Sequence, residues 1–202
     1  MSFSVYRYDI INHLIKKNNY KSYLEIGVRH PNAGCFNKIK INSKLGVDPN
    51  PLVNQDNIYI GTSDIFFKNN NKTFDIIFID GLHLEEQVDK DVVNALNCLN
   101  ENGTVLLHDC NPPTAFHQRK EYDVTKRLPW NGTVWRSLAK LRMTRDDLNI
   151  NVVDTDWGVG IIRKSNNEQL FPLHEDFTYD LLENNRNELL NLISTKSFYK
   201  LY

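Results

Sequence analysis

At 202 residues the chain has the length of one domain, and 41% hydrophobic with 24% charged residues can build a full core without disulfide staples. Its 24 basic and 25 acidic residues nearly cancel, to −1, so no global positive field favours nucleic acid or an anionic membrane. Cys35, Cys98 and Cys110 are odd in number and widely spaced, with no CxxC pair and no zinc pattern, which suits a reducing, cytoplasmic setting. The opening "MSFSVYRYDIINHLIKKNN" does not read as a secretory signal, and no run approaches the ~20 apolar residues of a membrane span.

In chain order, Ile10, Ile11, Leu14 and Ile15 place an apolar stripe on an N-terminal helix within residues 1–20. "SYLEIGV" (22–28), "KLGVDP" (44–49), "NIYIG" (57–61) and "FDIIFID" (74–80) are the first four candidate strands. "HLEEQVDKDVVNALNCLN" repeats Val88, Val92, Ala95, Leu96 and Leu99 at three- and four-residue steps and stops at "ENG", as a helix does. "GTVLLHD" (103–109) is the fifth strand. Residues 110–132 show no periodicity, and a long irregular loop directly after a strand of an α/β sheet is a place where ligands bind. "INVVDT" (150–155) and "VGIIR" (159–163) are joined by "DTDWG", so they form a hairpin with one strand antiparallel. Leu181, Leu182, Leu189, Leu190 and Ile193 form the stripe of a C-terminal helical tail, 176–202.

Strands that are apolar at successive positions are buried on both faces of a parallel sheet, and their alternation with helices gives right-handed βαβ units. The expected fold is one α/β domain, Rossmann-like and doubly wound. Its sheet is mostly parallel and seven-stranded, with a C-terminal antiparallel hairpin strand.

Candidate ligand-binding residues fall at successive strand ends. Glu25 and Gly27 close the first strand, where a tight turn lets a ligand approach the backbone. Asp48 ends the second strand, 23 residues after Glu25, where a carboxylate can accept from both hydroxyls of a ribose. Ser63 and Asp64 follow the third strand and can hold an adenine edge. Each of these also has a purely structural reading, with Gly27 as a turn and Asp48 as the start of one before Pro49. A dinucleotide-binding oxidoreductase would need a compact GxGxxG after the first strand, which is absent.

"YLEIGV", "GVDP", "TSD", "FDIIFIDGLH" and "GTVLLHD" together resemble the successive motifs of the class I S-adenosylmethionine-dependent methyltransferases. They are most similar to the small O-methyltransferase branch, macrocin-type and catechol-type. The likeness covers roughly residues 20 to 110. It implies Glu25 and Gly27 near the methionine part of S-adenosyl-L-methionine, Asp48 on its ribose and Ser63–Asp64 by its adenine, with Asp80 closing the same pocket. The family's second glycine is displaced here, since "VRHPNA" separates Gly27 from Gly34.

Asp80 ends the fourth strand, His83 follows three residues later, and Asp109 ends the fifth beside His108. Neighbouring parallel strands bring these ends together. Methyl transfer to a hydroxyl needs the acceptor held in line and its proton removed; His83 suits proton removal, and a divalent cation on two carboxylates lowers the hydroxyl pKa. The resemblance implies Asp80 and Asp109 as metal ligands and His83 at the position of the base. Asn111 stands in for the family's third ligand, and Mg2+ suits the oxygen donors. The bland alternative makes Asp80 a cap of the following helix, with Glu85 and Glu86 in its first turn, and leaves His83 on the surface.

The acceptor side is expected in the 110–132 loop, the "WNGTVW" segment and the 154–158 turn. Trp130, Trp135 and Arg119 are the candidate acceptor-binding residues. Aromatic faces beside polar groups suit a sugar or nucleotide sugar as the small-molecule partner. Arg119, Lys120, Lys126 and Arg127 alternatively suit a phosphate. A phenol or catechol acceptor, or a non-catalytic nucleoside-binding module, are the competing functions. No nucleic-acid partner and no membrane span are expected, and a homodimer is the candidate assembly.

Overall fold

The computed structural model describes residues 4–123, 125–126 and 128–202. Helix α1 (Arg7–Asn18) precedes strand β1 (Ser22–Ile26), and β2 (Ser43–Asp48) and β3 (Ile58–Ile60) follow. Next come α2 (Ser63–Asn69), β4 (Phe74–Ile79), α3 (Glu85–Asn97), β5 (Leu99–Leu107) and α4 (Val134–Thr144). The chain ends with β6 (Leu148–Val153), β7 (Val159–Lys164), α5 (Tyr179–Leu189), β8 (Leu192–Ile193) and α6 (Thr195–Leu201). One sheet orders them β3-β2-β1-β4-β5-β7-β6-β8. Only β7 runs against its neighbours, pairing antiparallel with β5 and β6.

The period-two alternation of the strands sorts side chains onto two faces, as a doubly wound sheet requires. Ile77, Ile79, Val105 and Leu107 pack with α3 and α4 through Val88, Val92, Leu138 and Trp135. Ile76, Phe78 and Leu106 point the other way, onto Ile10, Ile11 and Leu14 of α1 and Phe198 of α6. The expected fold class is therefore present, with the β6–β7 hairpin supplying the antiparallel strand.

The C-terminal segment differs from the expected single helical stripe. Leu182 and Leu189 are buried on α5, but Ile193 lies in an eighth, two-residue strand beside β6. Asn191 adopts the left-handed region (φ 45°) and its amide donates to the Ile150 carbonyl and to Asn151 Oδ1. That local bonding ends the helix and turns the chain along the sheet edge, so the tail covers both faces: α5 on one, α6 on the other. No helix of the described residues is long and apolar enough to cross a membrane.

Candidate active site

β1, β2, β4, β5 and β6 run in the same direction, so their C-terminal ends share one edge, and the acidic residues cluster there. Gly27 holds φ +97°, and a Cβ on it would stand 2.1 Å from the Asp80 carbonyl oxygen. The β1 turn and the β4 turn therefore touch, backbone to backbone, only because residue 27 has no side chain.

Asp80, His83, Asp109 and His108 form a closed ring of contacts. His83 Nε2 is 3.3 Å from Asp80 Oδ1, and His83 Nδ1 is 3.3 Å from Asp109 Oδ2. His108 Nδ1 lies 3.0 Å from Asp109 Oδ2 and 3.2 Å from Asp80 Oδ1. His108 Nε2 is 2.8 Å from the Asp156 carbonyl, which can only accept, so this nitrogen carries a hydrogen. The 3.2 Å approach of Arg7 Nη1 to the same nitrogen is then a contact between two donors, and the Arg7 hydrogens go to the Asp156 carboxylate at 3.0 and 3.1 Å. Both His108 nitrogens face acceptors, which is the environment of an imidazolium.

Charge follows this geometry. Burial disfavours the Asp80 carboxylate, but His108 and His83 outweigh it and hold the group well below the usual range. His83 is raised: burial opposes its charge, while the hydrogen bond to Asp80 and the nearby Asp109 favour it. His108 is raised further, against burial, by Asp80 and Asp109. Burial alone would raise Asp156, yet His108, the Arg7 backbone N–H and the Arg7 guanidinium bring it down to about 2. Cys110 is fully buried and pushed up to about 12, which leaves it inert as a nucleophile.

The capping alternative for Asp80 has a direct answer. The first N–H of α3, on Glu85, is accepted by Thr133 Oγ1 at 2.8 Å, so Asp80 does not cap this helix. Thr133 belongs to the "WNGT" segment that closes the 110–132 loop onto His83. Its backbone N–H donates to the His83 carbonyl at 2.9 Å. Gly132 sits at φ +62° with a virtual Cβ 2.0 Å from that same carbonyl oxygen, so a side chain there would push the loop away. Trp130 stacks on the His83 ring, centroids 5.0 Å apart and planes 21° from parallel, and Tyr122 packs on Trp130 at 5.2 Å. Asn131 Nδ2 donates to Asp109 Oδ1 at 2.8 Å, while its Oδ1 is buried without a partner.

The residues expected on the cofactor side are positioned by the neighbouring strands. Glu25 is buried at the end of β1 and accepts from the Tyr23 hydroxyl. Burial raises its carboxyl to about 8, the Tyr23 bond offsetting only part of the effect. Asp48 accepts the Asn50 backbone N–H through Oδ1 at 2.7 Å, and its Oδ2 has no hydrogen bond among the described residues. Ser63 and Asp64 open α2 and both accept from Gln87 Nε2, at 3.2 and 3.0 Å. Gln87 thus ties the adenine-side candidates to α3.

Three expected residues sit elsewhere. Asn111 is turned from the ring: its Oδ1 accepts from Arg186 and its Nδ2 donates to Asp154 at 3.1 Å. Trp135 is wholly buried on the inner face of α4, its indole N–H on Gln118 Oε1 at 2.8 Å, so it cannot meet an acceptor. Arg119 spends its guanidinium on the carbonyls of Phe116, Pro129 and Leu128, stapling the loop to itself. Lys120 pairs with Glu86 at 3.0 Å and Lys126 with Asp123 at 3.3 Å, both at the exposed surface; Arg127 lies outside the described residues.

Arg7, Asp156 and Asn131 were not singled out from sequence. Arg7 and Asp156 are 149 positions apart, and no local pattern announces that pair. For Asn131 the signal was present, in a polar residue held between Trp130 and Gly132 where the loop ends.

Asp80, His83 and Asp109 each offer a ligand atom within 4.8 Å of the others, so these residues fit a divalent cation with His83 as the third donor in place of Asn111. A mixed nitrogen and oxygen set suits manganese, iron or zinc better than magnesium.

Residues 32–110 match the family described as Methyltransferase domain. No curated protein matches the sequence. Among solved structures, a candidate caffeoyl-CoA O-methyltransferase from Staphylococcus aureus is 21% identical, with TM-score 0.56 over 82% of this chain and 86% of that one. The Podospora anserina methyltransferase PaMTH1, solved with S-adenosylhomocysteine, is 17% identical, with TM-score 0.58 over 79% and 78%. TomG from Streptomyces achromogenes, an O-methyltransferase of tomaymycin synthesis, is 12% identical, with TM-score 0.57 over 81% and 82%. Residues 32–110 thus match a methyltransferase domain, and the fold of the chain is the one these solved methyltransferases share.

Proposed function

We propose that the protein is an S-adenosylmethionine-dependent O-methyltransferase acting on a hydroxyl of a sugar or other small molecule. The observation that carries this reading is the ring of Asp80, His83, Asp109 and His108, set at the same sheet edge as Glu25, Gly27, Asp48 and Ser63–Asp64. The solved relatives with bound S-adenosylhomocysteine or S-adenosylmethionine support the choice of methyl donor. When bound, that donor supplies a methyl group on a sulfonium, open to in-line attack.

The chain's own residues would do the rest. Asp48 Oδ2 accepts from ribose hydroxyls. Gly27 leaves room for the donor against the backbone. Trp130 presents its face beside His83 and excludes water from one side. His83 takes the acceptor proton: Nε2–H donates to Asp80 and fixes the ring, and Nδ1, which makes no hydrogen bond, accepts. The resulting imidazolium lies between Asp80 and Asp109, where its charge is favoured. His108, held between the same two carboxylates, fixes their positions.

A second reading has a specific observation behind it. With Asp80 and Asp109, His83 can hold a divalent cation, which would lower the acceptor pKa. The imidazole cannot be ligand and base at once. The contacts of His108 and the rotation of Asn111 away from the ring favour the base.

Calorimetry tests the first part: S-adenosylhomocysteine should bind and NAD should not. Asp48→Ala should weaken that binding by roughly 1–3 kcal/mol, the cost of unpaired hydrogen-bonding groups. Unchanged affinity would remove Asp48 from the pocket. Chelation tests the second part: activity should survive EDTA if His83 is the base, whereas loss with restoration by manganese or magnesium would establish the cation reading.

A further inference from the structure

A cavity of about 590 Å³ opens at the same sheet edge, displaced from β4 toward β8. Asn111, Asp154, Trp157, Glu183, Arg186 and Asn187 line it. Its volume lies in the range of small-molecule sites. It shares a wall with the acid–imidazole ring. Asp156, Trp157 and Gly158 all hold positive φ, at 47°, 67° and 88°. Two successive non-glycine residues in the left-handed region are strained, and such strain persists where surrounding bonds over-determine it. Here Asp156 is bonded to Arg7 on the side of the ring, while the Trp157 and Gly158 carbonyls accept the N–H groups of Asn111 and Cys110 at 2.9 and 3.0 Å. One turn therefore serves two spaces, Asp156 toward His108 and Trp157 toward the cavity.

The far wall is equally fixed. Arg186 reaches from α5 to Asn111 Oδ1, to the Pro112 carbonyl at 3.0 Å and to the Tyr179 hydroxyl at 3.0 Å. Tyr179 in turn donates to the Pro113 carbonyl at 2.8 Å. The cavity is thus formed before any ligand arrives.

Its chemistry excludes an anion. Asp154 and Glu183 outnumber Arg186, whose guanidinium is already engaged with protein acceptors. What remains is an indole 43% exposed, two carboxylates that accept from hydroxyls, and the Asn187 amide. A neutral polyhydroxylated ring, apolar on its C–H face and donating at its edge, fits that set.

We propose that this cavity is a second acceptor subsite, holding a neutral saccharide unit linked to the one that is methylated. This rests on the sugar reading above. The acceptor is then a glycoside of at least two units: one beside His83 and Trp130, the next on Trp157.

The test compares a monosaccharide with disaccharides that contain it, using the intact protein with S-adenosylmethionine. Glu183 and Asn187 are exposed and make no side-chain hydrogen bond among the described residues, so Glu183→Gln and Asn187→Ala should fold normally. The disaccharide should show a KM about tenfold lower, corresponding to about 1.4 kcal/mol of added binding. Either variant should raise that KM several-fold and leave the monosaccharide KM unchanged. Equal KM for the two acceptors, or variants that shift both alike, overturns the subsite and leaves the sugar reading standing. Turnover of catechols with no saccharide turned over overturns both.

Discussion

At the scale of single residues, His83 is the group on which the proposed chemistry turns. Its ring touches a carboxylate at each nitrogen and carries Trp130 on its face, so its orientation is set from three sides. His83→Ala should lower turnover by about 10²–10⁴-fold and leave cofactor affinity nearly unchanged, the range for loss of a positioned base. The base works only when neutral. Its raised pKa means that the kcat of the wild type should climb with pH through a value above 6.5, the ordinary imidazole value. Full activity of the Ala variant on the true acceptor would return His83 to a packing role.

At the scale of elements, the strand ends were legible in the sequence because each apolar run stops abruptly on an acidic or glycine residue, as at Asp48, Asp80 and Asp109. The stripe of α3 was legible for the same reason: Val88, Val92, Ala95 and Leu96 are buried as their spacing implies. The loop between β5 and α4 was not legible beyond its existence. Its Trp130 and the Trp135 of the following helix read alike in sequence, yet Trp130 faces His83 while Trp135 is buried on the inner face of α4. Which way an aromatic points there depends on Gly132 and on bonds to Gln118 and the His83 carbonyl, contacts across the loop that no periodicity encodes. The C-terminal stripe misled at Ile193 because a left-handed Asn191 redirects the chain and the hydrophobic pattern cannot register that turn. The two tryptophans now separate experimentally. Trp135→Ala should cost about 3–5 kcal/mol of stability through the cavity it leaves, seen as a lower unfolding midpoint in urea. Trp130→Ala should leave stability closer to wild type and raise the acceptor KM. The reverse assignment of the two effects would refute the division of roles.

At the scale of the whole molecule, folding stability depends on pH through Glu25, and the proposed methyl-donor site makes a linkage to binding testable. Its carboxyl is raised from 4.5 to about 8 in the folded state, chiefly by burial. Below the unfolded value both states hold the proton and Glu25 has no effect on stability. Between about 4.5 and 8 the unfolded chain releases the proton while the folded one keeps it, so stability falls by up to about 1.4 kcal/mol per pH unit. Above the folded value the loss is complete and the curve flattens. Asp156 works in the other direction and in another window: its value of about 2 stabilises above the ordinary carboxylate range and is lost only in strong acid. Near neutrality, then, Glu25 adds a downward slope to that of His83 and His108, whose raised values also lose stability as pH rises. If S-adenosylhomocysteine places its ammonium group near Glu25, the ion pair lowers that pKa and releases the proton on binding. The increase in melting temperature produced by S-adenosylhomocysteine should therefore grow from pH 6 to pH 8, and binding heats should depend on the ionisation enthalpy of the buffer. Glu25→Gln should make the slope of the free protein shallower, leaving the part that the raised His83 and His108 contribute, and should remove the buffer dependence that Glu25 causes. Free and bound melting curves that stay parallel across this range would place the ammonium group away from Glu25.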